Sequence, residues 1–420
     1  MSSSRTPPSA AELGWIFFKI GCVAFGGFMA LISVVEEVVV RDKGWLERED
    51  MLDGISLANV LPGPQAVNTV TYVGYRVGGL SGAVASFFGI LTPTFVLVTL
   101  LTFLYFGVAQ DLPMLEAFFA GIVPAVSAVI VGVVWRLGKK AITGWVPGLM
   151  CGLAFALPWL VAADAKVMSN LLLLAVAASL GAFLLAPDED LGSPSGTLDL
   201  MRLAPVVLLP LGLSALYLAK PPLPEDGLAE LAVTFSGLSV MLFGGGYVFI
   251  PMIMDVVVSQ QGWLTPTEFN DGIAFSQITP GPIMISAAFI GQRVMMVHGA
   301  VWAVIGGAVG TLAIFAPPAM LMVAATQILD QIRSSRRVQG ALRGVRGAVV
   351  GMIAAAAVLI LATVVPPWEL SGQWTVDALP VFAIFGAALV ALVRFKVSVL
   401  MVLPAAGALG LLVSWALGAY

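Results

Sequence analysis

Long hydrophobic stretches separated by short polar segments run through almost the whole chain. They fall at residues 82–107, 117–135, 144–163, 167–186, 203–219, 297–326, 347–365, 378–393 and 397–418. An α-helix needs about 20 apolar residues to cross the hydrocarbon core of a bilayer. The pattern therefore predicts an all-α polytopic membrane protein that is surrounded by the lipid bilayer and has no separate soluble domain.

Composition excludes several other classes of protein. Hydrophobic residues make up 59% of the chain and charged residues 10%, whereas ordinary soluble domains are roughly 45–50% apolar. The net charge of −4 and the grouping of basic residues in a few short loops argue against nucleic-acid binding. Cys22 and Cys151 lie far apart in apolar segments and His298 is the only histidine, so no disulfide, metal site or cofactor is predicted.

Four motifs occur twice, each time 218 positions apart. Phe25-Gly26-Gly27, Gly44-Trp45-Leu46, Asp53-Gly54-Ile55 and Pro62-Gly63-Pro64 return as Phe243-Gly244-Gly245, Gly262-Trp263-Leu264, Asp271-Gly272-Ile273 and Pro280-Gly281-Pro282. The repetition predicts two homologous halves, at residues 11–186 and 230–420, and a linker at 187–229 that contains one membrane crossing. Paired interruptions of hydrophobic segments in two halves of a membrane protein indicate a transporter's binding site.

Loop charges predict that the two halves have opposite orientations in the membrane. Residues 108–117 contain no Lys or Arg, whereas the matching loop of the second half has three arginines between 333 and 337. After the next apolar segment the bias is reversed, because the basic cluster at 136–140 has no counterpart in residues 366–377. Lys and Arg favour cytoplasmic loops, so we expect inverted repeats with the N-terminus in the cytoplasm and the C-terminus outside.

The segment from residue 11 to residue 76 is predicted to contain broken or re-entrant helices. Its candidate turning points are Gly26-Gly27 and Pro62-Gly63-Pro64. The pieces on either side of Gly26-Gly27 are about 12 residues long, or roughly 18 Å, which is too short for a core of about 30 Å. Two spanning helices are the alternative, but they would export the loop that carries Arg41, Lys43 and Arg48, against the charge rule.

The breaks themselves are the predicted substrate site. Proline removes a backbone donor and glycine permits close approach, so the Pro-Gly-Pro motifs at 62–64 and 280–282 must interrupt their helices. Helix N-termini at these loops, and at Gly26-Gly27 and Gly244-Gly245, offer N–H donors and partial positive charge, which suits an anion. The alternative function of such a break is a packing kink.

Three basic residues are candidates for binding the anion. Arg76 and Arg293 follow the two Pro-Gly-Pro motifs at equivalent positions and would clamp an oxyanion in a bidentate manner. The alternative is that each arginine extends to the lipid headgroups at a helix end. Lys19 stands alone in the first apolar segment, where an isolated lysine costs roughly 2.5–3.5 kcal/mol, and a role in binding is therefore predicted.

Acidic residues also recur in register, as the pairs Glu37 with Asp255, Asp50 with Glu268, and Asp53 with Asp271. The first two pairs flank polar loops, where we expect the carboxylates to cap helices or to be solvated. Asp53 and Asp271 each open a broken segment. There they either cap the helix or carry protons for coupled transport.

Uncharged polar residues surround both Pro-Gly-Pro motifs. Asn59 and Gln277 correspond to each other, three residues before each motif, and are candidates to donate hydrogen bonds to the substrate. The remaining neighbours are expected to form helix-to-helix hydrogen bonds; these are Ser56, Gln65, Asn68, Thr69, Ser276, Thr279 and Ser286.

The chain combines Phe-Gly-Gly with a trailing Gly-Trp-Leu, and Pro-Gly-Pro with Gly74-Tyr75-Arg76, and both combinations have second-half copies. In this it resembles the chromate ion transporter family over nearly the whole chain. The resemblance implies a carrier in the inner (plasma) membrane of a bacterium or archaeon. Such a carrier exports chromate, a sulfate-like tetrahedral dianion, and confers resistance. The chain departs from the family pattern at Phe28, Gly246 and Gln292, which leaves the fold unchanged and the substrate preference open.

Secondary transport is therefore the leading hypothesis, coupled to the proton gradient or to anion exchange. No phosphate-binding loop of the Gly-x-x-x-x-Gly-Lys-Ser/Thr type occurs, which argues against ATP hydrolysis by the chain itself. Import of sulfate or another oxyanion is the close alternative, and a passive channel or a membrane-embedded enzyme are more distant ones. The predicted partners are chromate or sulfate, the lipid bilayer and, as an option, a second copy of the chain in a homodimer.

Overall fold

The structure is a computed structural model, which describes residues 8–24, 28–109, 113–161, 166–187, 200–219, 227–242, 250, 252–327, 335–364 and 378–416. Helices account for nearly all of these residues, and none of them lies in a β-strand. The chain is an all-helical polytopic membrane protein, as the hydrophobic pattern predicted.

The helices follow one another as α1 (Ala10–Val23), α2 (Phe28–Glu36), α3 (Arg48–Val60), α4 (Gln65–Leu104), α5 (Pro113–Ala141), α6 (Trp145–Leu160), α7 (Lys166–Leu184), α8 (Leu200–Ala219), α9 (Leu228–Ser239), α10 (Pro266–Ile278), α11 (Ser286–Met295), α12 (Ala300–Thr326), α13 (Arg336–Val364), α14 (Ala378–Val393) and α15 (Val399–Ala416). Every apolar stretch predicted from the sequence overlaps one of these helices.

Among the described residues, four helices are long and apolar enough to cross a membrane, namely Gln65–Gly107, Ala117–Ala141, Ala300–Thr326 and Arg336–Ala362. Many large apolar side chains are exposed, including Trp145, Phe183 and Trp415. Exposure on this scale is what contact with lipid requires.

Helix α4 is interrupted near its first third. Gly78 and Gly79 leave the helical conformation there, and Gly79 has φ +64°. The corresponding junction of the second half lies between α11 and α12, where a 3₁₀ turn at Met296–His298 ends at Gly299 with φ +104°. Glycine adopts such φ values without steric cost, so it can interrupt a helix at these points. The regular helix is therefore interrupted a few residues after Arg76 in the first half and after Arg293 in the second.

The duplicated segments have the same local structure. A π-helical turn forms at Glu37–Asp42 and again at Asp255–Gln260. In each copy the tryptophan N–H that follows donates to a turn carbonyl, from Trp45 to Val39 over 2.9 Å and from Trp263 to Val257 over 2.8 Å. Helices α3 and α10, 218 positions apart, then follow in both copies.

The chain divides into two compact units, each of which contains parts of both sequence halves. The first comprises residues 1–99, 190–246 and 279–335. In it α12 packs against α9, α8 and α11. The backbones approach closely at small residues, with Gly291 against Gly306 and Gly74 against Gly82.

The second unit comprises residues 100–189, 247–278 and 336–420. Its central helix, α13, packs against α5, α6 and α7, while α14 and α15 pack against α5. Glycines of α13 make these approaches possible, because Gly344 lies against the backbone of Ala177 and Gly351 against that of Cys151.

Candidate functional site

The two Pro-Gly-Pro loops interrupt their helices, as predicted. Residues 62–64 separate α3 from α4, and residues 280–282 separate α10 from the 3₁₀ turn that precedes α11. Gly63 has φ +94° and Gly281 has φ +120°, conformations in which any side chain would be strained. Both loops are buried in the first unit.

Each loop is joined to the other half of the sequence by a backbone hydrogen bond. The Gly63 N–H donates to the carbonyl of Leu242 over 2.6 Å, and the Gly281 N–H donates to the carbonyl of Ala24 over 3.1 Å. Donors and acceptors are both 218 positions apart, so the two bonds are equivalent. They satisfy backbone groups that would be costly to leave unpaired in a membrane interior.

We use the name loop cluster for residues 62–64 and 280–282 with the carbonyls of Ala24 and Leu242. It has little spare room. A Cβ at Gly63 would overlap Pro318, and a Cβ at Gly281 would overlap Thr94. The Thr94 hydroxyl also donates a hydrogen bond to the carbonyl of Pro280, so residues on the long helices α4 and α12 hold the loops in place.

The predicted Phe-Gly-Gly breaks adjoin this cluster in the sequence. Helix α1 ends at Val23, Ala24 follows as its cap, and α2 begins at Phe28. Gly26, Gly27, Gly244 and Gly245 themselves lie outside the described residues, so their part in substrate binding stays a prediction.

Two polar side chains beside the loops have buried oxygens without partners. Asn68 is fully buried and its Nδ2 donates to the Pro62 carbonyl over 3.0 Å. Its Oδ1 and the Oγ of the buried Ser286 find no hydrogen-bond partner among the described residues. Asn68 lies in the first turn of α4, and Ser286, its equivalent in the second half, begins α11. Polar atoms of this kind mark a place where a ligand or water would be bound.

The two candidate arginines lie far along their helices from the loops. Arg76 is eleven residues beyond the start of α4, about 16 Å along the axis, which is more than an arginine side chain spans. Its guanidinium is partly exposed and forms an ion pair with Asp50 over 2.5 Å. Arg293 lies half-buried in the last turn of α11. The structure does not bring either arginine into the loop of its own half.

Lys19 occupies an exposed position on α1. Its ammonium lies 6.0 Å from the centre of the Trp15 ring. The side chain therefore has an aromatic partner on the helix surface, and its predicted role in substrate binding remains untested.

Asp271 and Gln277 are buried on α10, in the second unit. The Tyr105 hydroxyl donates to Asp271 Oδ2 over 2.6 Å. Two rings pack against Tyr105, with Phe275 centred 5.6 Å and Phe119 6.1 Å from the Tyr105 ring. The buried Asp271 carboxylate thus has a hydroxyl donor that is itself packed among aromatic rings.

The equivalent residues of the first half are less buried. Asp53 and Asn59 are half-buried on α3. By contrast, neither Nε2 nor Oε1 of Gln277 has a hydrogen-bond partner in the part of the chain that the structure describes. The structure thus distinguishes two positions that the sequence treats alike.

The other acids meet the expectation of capping or solvation only in part. Thr265 and Glu268 form a reciprocal cap at the start of α10, since each side chain accepts from the other's backbone N–H, over 2.8 and 3.2 Å. Glu37 pairs with Arg41 over 2.9 Å. Asp255 accepts from Gln260 over 2.9 Å. Capping therefore accounts for Glu268, and solvation accounts for the exposed Glu37, whereas Asp255 is buried, contrary to expectation.

Some of the polar neighbours differ from expectation. The hydroxyls of Ser56, Thr69 and Ser276 each donate to the carbonyl four residues earlier in their own helix, not to another helix. A helix interior offers that acceptor to any Ser or Thr, which explains the outcome.

Sequence reasoning missed Thr94 and Tyr105 altogether, and it did not single out Asn68 and Ser286 from their neighbours. The spacing of 218 positions between Asn68 and Ser286 was the available signal. Thr94 and Tyr105 gave no signal, because their partners are 186 and 166 residues away in the sequence.

Comparison with known proteins identifies the family. A model described as chromate transporter matches residues 11–182 and 229–411. A chromate transport protein of Pseudomonas aeruginosa is 29% identical over 97% of this chain and 93% of its own length. One of Cupriavidus metallidurans is 28% identical over 83% of this chain and 82% of its own. An uncharacterized transporter of Methanocaldococcus jannaschii is 27% identical over 90% of this chain and 89% of its own.

No solved structure matches the chain. The sequence match nevertheless covers both copies of the motifs that meet in the loop cluster, and most of the chain besides. The chain therefore belongs to the chromate transporter family.

Proposed function

We propose that the protein is a secondary transporter that exports chromate across the inner (plasma) membrane of a bacterium or archaeon, and so confers chromate resistance. The observation that carries this proposal is the loop cluster, in which interrupted helices from both sequence copies meet in a protein of the chromate transporter family. Relatives named as chromate transport proteins supply the substrate.

The anion would bind at the helix N-termini that the loops expose. Residues 62–64 lead directly into α4, and residues 280–282 lead into the 3₁₀ turn Ile283–Ile285 that precedes α11. The first N–H groups of a helix have no acceptor within it. These donors and the partial positive charge at the helix start favour an anion. The buried surroundings strengthen the attraction, because a low dielectric screens it less than water does.

Two inverted repeats with broken or re-entrant helices, at 11–186 and 230–420, are part of the proposal. The equivalence of the Gly63–Leu242 and Gly281–Ala24 hydrogen bonds supports it, since a two-fold relation makes residue i contact j and j contact i. Loop charges favour a cytoplasmic N-terminus and an external C-terminus. Tags inserted at 109–115 and 331–339 should be labelled from opposite sides, and labelling of both from one side would refute inversion.

Proton coupling is proposed to depend on Asp271, with Asp53 as its counterpart in the first half. Asp271 lies on the helix that leads into the second Pro-Gly-Pro loop, it is buried, and it accepts a hydrogen bond from the Tyr105 hydroxyl. Exchange for another anion is the alternative source of energy.

Arg76, Arg293 and Lys19 are proposed to attract the oxyanion on its way to and from the loops. Asn59 and Gln277 are proposed as further hydrogen-bond donors, and Gln277 Nε2 has no hydrogen-bond partner within the described ranges. Association of two chains as a homodimer stays a prediction.

The decisive experiment measures flux into vesicles that contain the purified protein. Chromate and sulfate are compared with and without an imposed pH gradient. We expect saturable chromate flux that exceeds sulfate flux and responds to the gradient. Sulfate flux that exceeds chromate flux would favour the importer alternative, and conductance beyond carrier rates would favour a channel.

A further inference from the structure

Asn68 presents a hydrogen-bond acceptor at the place where an anion would bind. Its Nδ2 donates to the Pro62 carbonyl over 3.0 Å, which fixes the orientation of the amide. The amide oxygen is thereby directed away from that carbonyl, at the N-terminal end of α4. It is fully buried and has no hydrogen-bond partner among the described residues.

Ser286 presents a different group at the equivalent position. Its buried hydroxyl begins α11 and has no hydrogen-bond partner in the described part of the chain. A hydroxyl can donate or accept, whereas an amide oxygen can only accept. Asn68 and Ser286, at equivalent positions beside the loop cluster, would therefore offer a ligand different hydrogen-bonding groups.

An amide oxygen and a fully deprotonated oxyanion do not complement each other. Both carry only lone pairs, so a bare tetrahedral dianion would leave Oδ1 buried and unsatisfied. An oxyanion that bears one proton would donate to Oδ1 and accept from Ser286 and the helix N–H groups. Chromate takes up a proton close to neutral pH, whereas sulfate does so only in strong acid.

We propose that Asn68 is the residue by which this transporter selects a protonated tetrahedral oxyanion, hydrogen chromate, over sulfate. Asn68 accepts a hydrogen bond from the O–H of the anion, and Ser286 donates one to another of its oxygens. A site built to bind a substrate O–H rejects an analogue that lacks it, because the buried acceptor is then left unpaired. The proposal rests on the proposed function and names the form of the substrate.

The test is competition for chromate binding by sulfate and by phosphate, at one pH near neutrality, on the purified full-length protein. The two competitors are tetrahedral and of similar size, but at this pH phosphate carries an O–H and sulfate does not. We expect phosphate to compete at a concentration roughly tenfold or more below that of sulfate. In Asn68→Ser, which gives the first half the hydroxyl of the second, the preference should shrink toward equality.

Ser86→Ala is the matched control, because Ser86 is also fully buried, its Oγ has no hydrogen-bond partner among the described residues, and it lies two turns beyond the Gly78-Gly79 break. It should leave the ratio of the two competitors unchanged. Size-exclusion profiles and thermal unfolding establish that each variant is folded. If Asn68→Ser does not fold, the wild-type ratio and Ser286→Ala, which should weaken both competitors alike, remain as tests.

Sulfate competing as well as phosphate in the wild type would overturn the proposal, as would an unchanged ratio in folded Asn68→Ser. In both cases chromate would still bind, so the proposed function would stand. Absence of chromate binding to the wild type would instead overturn the proposed function, and this inference with it.

Discussion

The two copies of the duplicated segment, residues 37–64 and 255–282, share a backbone but differ in burial. Both contain a π-helical turn, a left-handed glycine (φ 59° at Gly44 and 62° at Gly262) and a 13-residue helix. Yet Glu37 has an exposed side chain and Asp53 is half-buried, whereas Asp255 and Asp271 are 8% and 4% exposed.

This difference in burial shows that glycine and proline control the backbone, whereas the charged residues control burial. Glycine and proline recur in register and determine the backbone. The basic residues of the first copy do not recur in the second. Arg41, Lys43 and Arg48 correspond there to Ser259, Gln261 and Pro266. With those charges absent, the second copy is compatible with burial, and its carboxylates Asp255, Glu268 and Asp271 are all buried.

The largest effect should come from the backbone that the copies share. Gly63→Ala should destabilise the protein by at least about 3 kcal/mol, because φ +94° strains any side chain and the new methyl group would overlap Pro318. Thermal unfolding in detergent and the yield of folded protein measure it. Gly262→Ala is the control, since its φ of +62° is also positive but no atom of the described residues lies within 4 Å of an added Cβ, and a loss of about 1 kcal/mol is expected. Equal effects would mean that the loop is not confined.

The next largest effect is expected at the acids Asp53 and Asp271, whose burial differs between the two copies. Asp271→Asn should abolish the component of chromate flux that depends on a pH gradient, while Asp53→Asn should retain most of it. The reason is that only Asp271 is buried with the Tyr105 hydroxyl as its donor. Flux with and without the gradient measures this, and Tyr105→Phe should give an intermediate result. A greater loss in Asp53→Asn would reverse the assignment.

A smaller effect is expected at the arginines. Arg76→Ala and Arg293→Ala should each lower chromate export roughly tenfold at low ionic strength, and less at high salt, because exposed charges steer ligands at long range. Export from cells, corrected for protein abundance in the membrane, measures it. Stability should change by no more than about 1 kcal/mol at Arg76, whose ion pair with Asp50 is partly exposed. Unchanged export in both variants would remove the arginines from the mechanism.

The smallest effect should distinguish the starts of the two 13-residue helices. Thr265→Ala should cost about 1 kcal/mol, because Thr265 and Glu268 cap α10 reciprocally. Glu47, at the same position of α3, makes no capping hydrogen bond through its side chain, so Glu47→Ala should change stability by less than about 0.5 kcal/mol. Unfolding temperatures of the two variants give the comparison, and equal shifts would contradict it.

The sequence was sufficient for the features that depend on local chain geometry. Hydrophobic length gave the helices, and Pro-Gly-Pro gave the interruptions at 62–64 and 280–282, because these residues cannot continue a helix. The capping or solvation of Glu268 followed from the polar loop before it. The family followed from motifs that are themselves local.

Features that depend on distant partners could not be predicted in this way. Gly78 and Gly79 interrupt α4 beside Arg76, but glycine is common in membrane helices and their effect depends on packing. The Tyr105–Asp271 hydrogen bond joins residues separated by 166 positions. Its charge and its position equivalent to that of Arg293 favoured Arg76 as a clamp, and only the helix length shows how far it lies from the loop.

The hydrogen bonds Gly63–Leu242 and Gly281–Ala24 also limit how such a protein could originate. A chain with only the first copy would have the Gly63 N–H without its acceptor, the carbonyl of Leu242. Its Ala24 carbonyl would lack the donor that the Gly281 N–H provides. Two such chains would complete each other, and joining their genes would make that association independent of concentration. Once the two copies are joined in one gene, a substitution in one copy no longer changes the other. An ancestral symmetric pore of two identical subunits would in this way gain one acid for protons and one amide for the anion.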